Sequence, residues 1–479
     1  MIFSSLDFLL FFVFVLVFLK ILENRSEDSK KLFLLVVSYY FYAYWDWRFL
    51  SLILLNTAIS YIAGKYIYLY KDNDKYKKLF LTISVVSSLT ILGVFKYYNF
   101  FIDSLNTALS LEATPLSTMN IILPLGISFY TFQTLSYTID IYRKHIKPSN
   151  LLDFSLFVVF FPQLVAGPIV RASEFLPQLK NKIQLKMSNF KVGAALFIVG
   201  FAKKSLLADS LSIYVDSVFI TPELFDGMTL FFATMAYSLQ IYFDFSGYTD
   251  MAIGIGIIIG FQFPKNFDYP YKSRNITEFW RRWHLTLSRW LRDYLYISLG
   301  GNRKGKYRTY FNLFATMTLG GLWHGASLNF LLWGMLHGIA LTVHKVYMTI
   351  NKQNISRMPA QAFSSLKFKD MFSDLLAIIF TYLFICLTWI LFRANSFDDT
   401  YTILYQIITM GEGVRWIHIS FYLIVPLFLL WQLIPDNLVI RAGVFNFNNY
   451  SGFIACSILV ILIVIFAPTG LSPFIYFQF

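Results

Sequence analysis

Charge is what this chain has least of. Asp, Glu, Lys and Arg make up 14% of its 479 residues, against 57% hydrophobic ones. From Thr309 to His344 none of the four occurs. Such a composition excludes a soluble globular protein and describes a polytopic membrane protein. Cysteine is almost absent as well. Cys386 and Cys456 both lie in apolar runs, which excludes a disulfide framework and a Cys-based metal site and leaves two small packed side chains. No G-x-S-x-G, reactive-Cys setting or H-E-x-x-H occurs, which argues against a serine or cysteine hydrolase and a zinc protease. There is no inverted repeat of the transporter kind and no short internal period. Met1 to Leu22 lacks the basic start and small-residue cleavage site of a signal peptide, and reads as a retained first span.

What is present is a series of windows long and apolar enough to cross a bilayer, at roughly 4–22, 31–56, 78–102, 119–141, 190–209, 228–260, 327–349, 373–393, 421–435 and 451–467. Shorter apolar stretches near 151–166 and 309–322 read as re-entrant or broken. The expectation is an all-α polytopic membrane protein with about 10–13 membrane segments. It forms one membrane domain over 1–479, with a polar-interrupted core at about 115–350, flanking spans at 1–110 and 373–467, and an aromatic tail at 468–479. No soluble stretch is long enough for a second domain. Pro124, Gly126, Pro162, Gln163, Gly167 and Pro168 interrupt apolar runs; such breaks are tolerated at membrane depth only where protein or a cavity satisfies the freed backbone.

The net charge of +13 is concentrated. Between Lys265 and Arg308 stand eleven Lys and Arg, opposed only by Asp268, Glu278 and Asp293. The positive-inside rule puts this segment, and the loop with Lys71, Lys75, Lys77 and Lys78, on the cytoplasmic side. A basic surface there attracts anionic membrane lipid or a phosphorylated cofactor, while nucleic acid is an unsuitable partner for a membrane chain.

Asn275 with Glu278 three residues on reads as a capping box that opens a helix. Arg281, Arg282, Ser288, Arg289 and Arg292 then share one face, and Phe279, Trp283, Leu287, Trp290 and Tyr294 another. This basic amphipathic helix suits the membrane interface, either as a plain anchor or as a floor that holds a phosphate-bearing donor through arginine. His284 sits beside its apolar face. His324 stands in Gly320-Gly-Leu-Trp-His-Gly325, inside the uncharged run. One straight helix of roughly 36 residues would be ~54 Å long, so the run must break, with Gly320-Gly321 as the expected place. An imidazole at that depth is a functional candidate, a general base, against the alternative of an interhelical hydrogen bond. Asp244 and Asp250 are unusual in an apolar run, and suit orienting a His or pairing with an Arg. His337 and His344, a helical ~10 Å of rise apart, are too far apart to share a metal and read as structural. His145 and His418 carry no pattern. The chain ends in Pro473-Phe-Ile-Tyr476-Phe-Gln-Phe479, where Tyr476 is the one hydroxyl in the last six residues.

Four ordered stretches resemble the membrane-bound O-acyltransferase (MBOAT) family: Phe161 to Arg171, Asp244 to Asp250, Phe279 to Arg303 and Gly321 to Gly325. The third, Phe-Trp-Arg-Arg-Trp-His284-Leu-Thr-Leu-Ser-Arg-Trp-Leu-Arg-Asp-Tyr-Leu, is most similar to the bacterial alginate and peptidoglycan O-acetylation branch. The resemblance implies a ring of transmembrane and re-entrant helices around a membrane-crossing funnel. It implies that His324 is the catalytic histidine, with His284 a second important histidine nearer the cytoplasmic mouth. It implies acetyl-CoA as donor, with Arg281, Arg282 and Arg289 as the candidate phosphate-binding residues and no metal. It further implies Tyr476 as acyl carrier, an extracytoplasmic acetyltransferase partner acting on a polysaccharide, and a bacterial cytoplasmic (inner) membrane location. One departure is Ser298, where several relatives have proline. Three rivals stay open, of which the first two are a D-alanyl transferase for teichoic acid within the family and a polysaccharide or lipid transporter outside it. A non-catalytic assembly scaffold, which would tolerate loss of His324, is the third.

Overall fold

In the computed structural model, the described residues are 1–111, 115–165, 167–351, 368–417, 450–468 and 474–475. They are built almost wholly from helices, the exception being an isolated bridge between Phe225 and Val414. The expected window at 421–435, His418 and Tyr476 lie outside the described residues. By length and composition, three of the described helical stretches suffice to cross a membrane: Glu27–Leu69, Asp74–Ala108 and Phe372–Arg393. Others among the expected spans are shorter, as in Leu6–Ile21, or carry buried polar groups, as in Gly227–Ile259.

The described residues fall into two compact units, Met1–Gly200 with Tyr248–Pro264, and Phe201–Gly247 with Lys265–Ile475. In the first, Leu6–Ile21 turns Leu6, Leu10 and Val13 outward, each more than half exposed. Its other side packs Phe8 and Phe11 against Phe41 and Phe161. Apolar outside and aromatic inside is the arrangement lipid permits and water penalises.

Ile127–Tyr142 is buried along nearly its whole length despite its hydroxyls and amides. Asn56 donates to Thr134 at 3.2 Å and accepts from Ser88 at 2.8 Å, and Ser84 donates to Thr138 at 3.3 Å. Such interhelical bonds each contribute roughly 0.6–2 kcal/mol in a membrane. Leu151–Val159 and Phe161–Leu164 are separate short helices, the broken form expected of this stretch.

The second unit holds an antiparallel pair, Lys306–His324 and Leu328–Ile350. The expected break at Gly320-Gly321 does not occur. Helix continues to His324, and the chain turns at Gly325, whose backbone is extended. The glycines instead serve packing. A Cβ on Gly321 would run into the Phe330 carbonyl and lie 2.8 Å from Gly334 Cα. One on Gly334 would lie 2.5 Å from the Met317 carbonyl. The two backbones therefore touch, as small residues allow between membrane helices, and this crossing fixes where the first helix ends.

The basic amphipathic helix also differs from expectation. Asn275 caps it as foreseen, its side chain accepting from the Glu278 amide at 2.9 Å. Yet the helix stops after Ile276–Phe279, resumes at Leu285–Trp290, and widens into a π-helical turn over Leu291–Tyr296. The break centres on His284, whose φ of 42° is left-handed. A non-glycine residue in that region is uncommon and costs on the order of 1 kcal/mol or more, which the surroundings must impose.

Candidate active site

Every described feature of the site belongs to the second unit. His284 is completely buried. Three bonds fasten its neighbourhood to one residue. The Asn266 carbonyl oxygen of the main chain accepts from the Leu285 amide at 2.9 Å. The Asn266 side-chain oxygen accepts from the Thr286 amide at 3.2 Å and the Thr286 hydroxyl at 2.6 Å. The amide donor identifies that atom as Oδ1. The His284 Nδ1 contact to it at 3.3 Å then makes Nδ1 the protonated nitrogen and Nε2 the basic one. Phe245 sets its ring edge-on to the imidazole at 4.6 Å. Burial pushes this imidazole down to about 3, so it is neutral at physiological pH.

That shift has a stability consequence. The folded-state value lies below the ordinary ~6.5 of an unfolded histidine, so the unfolded chain binds the extra proton. Stability is complete above about pH 6.5 and falls as pH drops toward 3, by ~1.4 kcal/mol per pH unit at most. Melting in detergent between pH 4.5 and 7 is expected to show this slope, with a shallower one in His284→Gln.

His324 is the last residue of its helix and is buried. Trp333 and Phe392 stand edge-on to its ring, both at 5.2 Å, and Trp323 is 5.0 Å away. Trp323 also faces His284 at 6.1 Å, so one indole contacts both histidines. An imidazole walled by aromatic rings is shielded from water. His337 is committed elsewhere. Its Nδ1 accepts from the Trp280 indole at 3.2 Å and its Nε2 faces the Thr388 hydroxyl at 3.1 Å. His344 contacts the Thr277 hydroxyl at 2.7 Å. Both have the structural partners expected of them.

A cavity of about 510 Å³ lies alongside. Arg281, Arg289, Arg292 and Lys345 give it a cationic lining, and Trp280, Leu285, Leu291 and Met317 an apolar one. Arg292 already holds Asp293 through two bonds of 2.6 and 3.0 Å. Arg281 and Arg289 meet at this cavity, whereas Arg282 does not line it. Arg282 is buried, bonded to Glu278 at 2.9 and 3.1 Å and to the Asp268 carbonyl at 3.2 Å. Neither His284 nor His324 lines the cavity; its Trp280 packs against Trp333 at 5.8 Å, and Trp333 against His324 at 5.2 Å. Among the described residues, no group of three or more His, Cys, Asp or Glu is placed to hold a metal.

Asp244 does not orient a histidine or pair with an arginine. It is buried against Lys204, Nζ to Oδ1 2.6 Å, and Lys204 also reaches Asp209 at 2.7 Å. Asp250 falls in the other unit. The motifs in the sequence do not mark Lys204. Its signal was a lysine pair, Lys203-Lys204, inside an apolar run, and the local backbone there is a π-helical turn, Lys203–Ala208, a feature frequent at functional sites.

The model of the membrane-bound O-acyltransferase family matches residues 39–390. A probable alginate O-acetylase AlgI of Pseudomonas aeruginosa is 42% identical over 398 residues, 83% of this chain and 72% of the relative. The peptidoglycan O-acetyltransferase of Helicobacter pylori is 37% identical over 417 residues, 81% of this chain and 76% of the relative. The teichoic acid D-alanyltransferase of Bacillus subtilis is 29% identical over 294 residues, 58% of this chain and 70% of the relative. With apolar spans, a family match over most of its length and relatives of 37% and 42% identity, this chain belongs to the membrane-bound O-acyltransferase family and is a membrane acyltransferase.

Proposed function

We propose that this protein is an O-acetyltransferase of a bacterial inner membrane. It takes acetyl from acetyl-CoA on the cytoplasmic side and passes it across for O-acetylation of a surface or secreted polysaccharide such as peptidoglycan or alginate. The observation that carries the reading is the cavity, lined by Arg281, Arg289 and Arg292 together with Trp280, Leu285, Leu291 and Met317, and linked to His324 through Trp280 and Trp333. That combination suits a donor with a phosphate-rich end and an apolar, reactive end. Arg281 and Arg289 present planar forks to phosphate. The positive segment around them belongs on the cytoplasmic side, where CoA esters are made. The higher identity and coverage of the acetylases over the D-alanyltransferase favour acetyl as the group carried.

In the reaction, the thioester lies toward His324. Its imidazole takes the proton of an acceptor hydroxyl, that of Tyr476 in this reading. The hydroxyl oxygen attacks the thioester carbonyl, a C–O bond forms, and the C–S bond breaks. The departing CoA thiolate takes up the proton from His324. The acetylated tyrosine then passes its group to a partner enzyme at the outer face. His284 stays neutral throughout and holds the wall through Trp323.

Incubating purified protein with radiolabelled acetyl-CoA tests the reading. CoA release with label on the protein, lost in Tyr476→Phe, supports the carrier. Turnover only with a carrier-protein thioester would replace it with the D-alanyl alternative. Arg281→Ala and Arg289→Ala are each expected to raise the KM for acetyl-CoA about tenfold or more with kcat little changed, because a charge-assisted bond contributes ~1.5–3 kcal/mol of uniform binding. Unchanged KM in both would remove the donor from this cavity.

A further inference from the structure

Lys204 and Asp244 take no part in the chemistry above, yet they form a buried ion pair, each nearly inaccessible. An ion pair at that depth is weak evidence of a stability role, since an apolar pair of the same volume often serves as well or better. Its retention needs a use, and the structure shows a third member. Asp244 Oδ2 accepts a hydrogen bond from the backbone amide of Ile475 at 2.8 Å. Asp244 thus spends one carboxylate oxygen on Lys204 and the other on the tail. Phe474 beside it is fully buried, and its ring lies 5.6 Å from that of Phe245. Phe245 is the residue that stands edge-on to His284. The tail contact and the histidine contact are made by two residues in successive positions of one helix.

We propose that Asp244, charged and aimed by Lys204, is a positioning residue that anchors the C-terminal tail through the Ile475 amide beside the histidine pocket. Asp209 holds Lys204 from its other side, so the ammonium balances two carboxylates and cannot follow either away. An ionised oxygen is a stronger acceptor for an amide than a neutral one, and this explains why a charge stands where an asparagine would fit. In function, the anchor sets the point from which residue 476 departs. This role rests on the reading of Tyr476 as acyl carrier, but the anchor itself does not.

Two variants remove the bond from opposite ends. Asp244→Ala deletes the acceptor. Ile475→Pro deletes the donor, leaves the Lys204–Asp244 pair intact, and lies outside the described helices. Hydrogen exchange of the C-terminal peptide reads the anchor directly, and acyl label on the protein from radiolabelled acetyl-CoA reads its use. In Ile475→Pro the expected result is loss of at least tenfold in label. KM for acetyl-CoA and exchange protection in Lys306–His324 should stay as in wild type. Asp244→Ala should lose the exchange protection of the Ile475 amide, and Asp244→Asn should fall between it and wild type in both readouts. Wild-type label in Ile475→Pro, or wild-type protection of the tail in Asp244→Ala, overturns the proposal. If Tyr476→Phe keeps its label, the carrier reading fails while tail protection still decides the anchor.

Discussion

His324→Ala is expected to fold, to bind acetyl-CoA with little change, and to transfer acetyl at least a hundredfold more slowly than wild type. A positioned general base typically contributes ~10²–10⁴-fold. The small size of the new side chain leaves the Trp333 and Phe392 rings in place around an empty volume. His324→Gln keeps a polar side chain at the helix end without a proton acceptor of suitable basicity, and should be equally slow. Single-turnover CoA release from both variants, beside exchange protection of the hairpin, separates lost chemistry from lost structure. Wild-type release from a folded His324→Ala protein would remove this residue from the reaction and leave Trp323 and His284 as the next places to look.

The second large effect belongs to a residue that touches no substrate. Gly321→Val is expected to lower the yield of folded protein and to abolish transfer, while its neighbour Gly320→Ala is nearly silent. A side chain on Gly321 meets backbone, the Phe330 carbonyl and Gly334, and neither can rotate aside. One on Gly320 meets only the end of Leu291, at 3.1 Å. Overpacking against mobile neighbours costs about 1–3 kcal/mol, and against fixed backbone the cost lies at or above the top of that range. Pushing the hairpin apart also moves the helix end that carries His324. Melting of the two variants in detergent, followed by tryptophan fluorescence, checks the contrast. Equal melting would mean that the crossing is held by something other than the glycines.

The motifs that stand out in the sequence do so by residue type: a histidine after tryptophan, arginines in a run, an uncharged apolar stretch. Local backbone was harder to read. Periodicity in Glu278 to Tyr294 fits a single helix, and nothing in the side chains announces that His284 is left-handed. That conformation is imposed by Asn266, eighteen residues upstream. The same break sends Arg281 to the cavity and Arg282 to Glu278, although they are adjacent and alike. Two glycines in a row read as a break, but their neighbours on the partner helix turn them into a close crossing. The Lys204–Asp244 pair joins residues forty positions apart, and only the fold brings them together.

Two of the three wide turns among the described residues, Lys203–Ala208 and Leu291–Tyr296, change what kind of sequence variation this protein can absorb. Each accommodates one more residue than a regular turn, equivalent to about 100° of helical rotation. Point substitutions at exposed positions there leave the path of the chain alone. Loss of a single codon does not: it lets the turn relax to ordinary α-helix and swings one flank by that angle relative to the other. Lys204 would then face away from Asp244, or Arg292 and Tyr296 away from the cavity. Low tolerance for insertion and deletion therefore lies inside helices, at places where swapping one amino acid for another looks harmless.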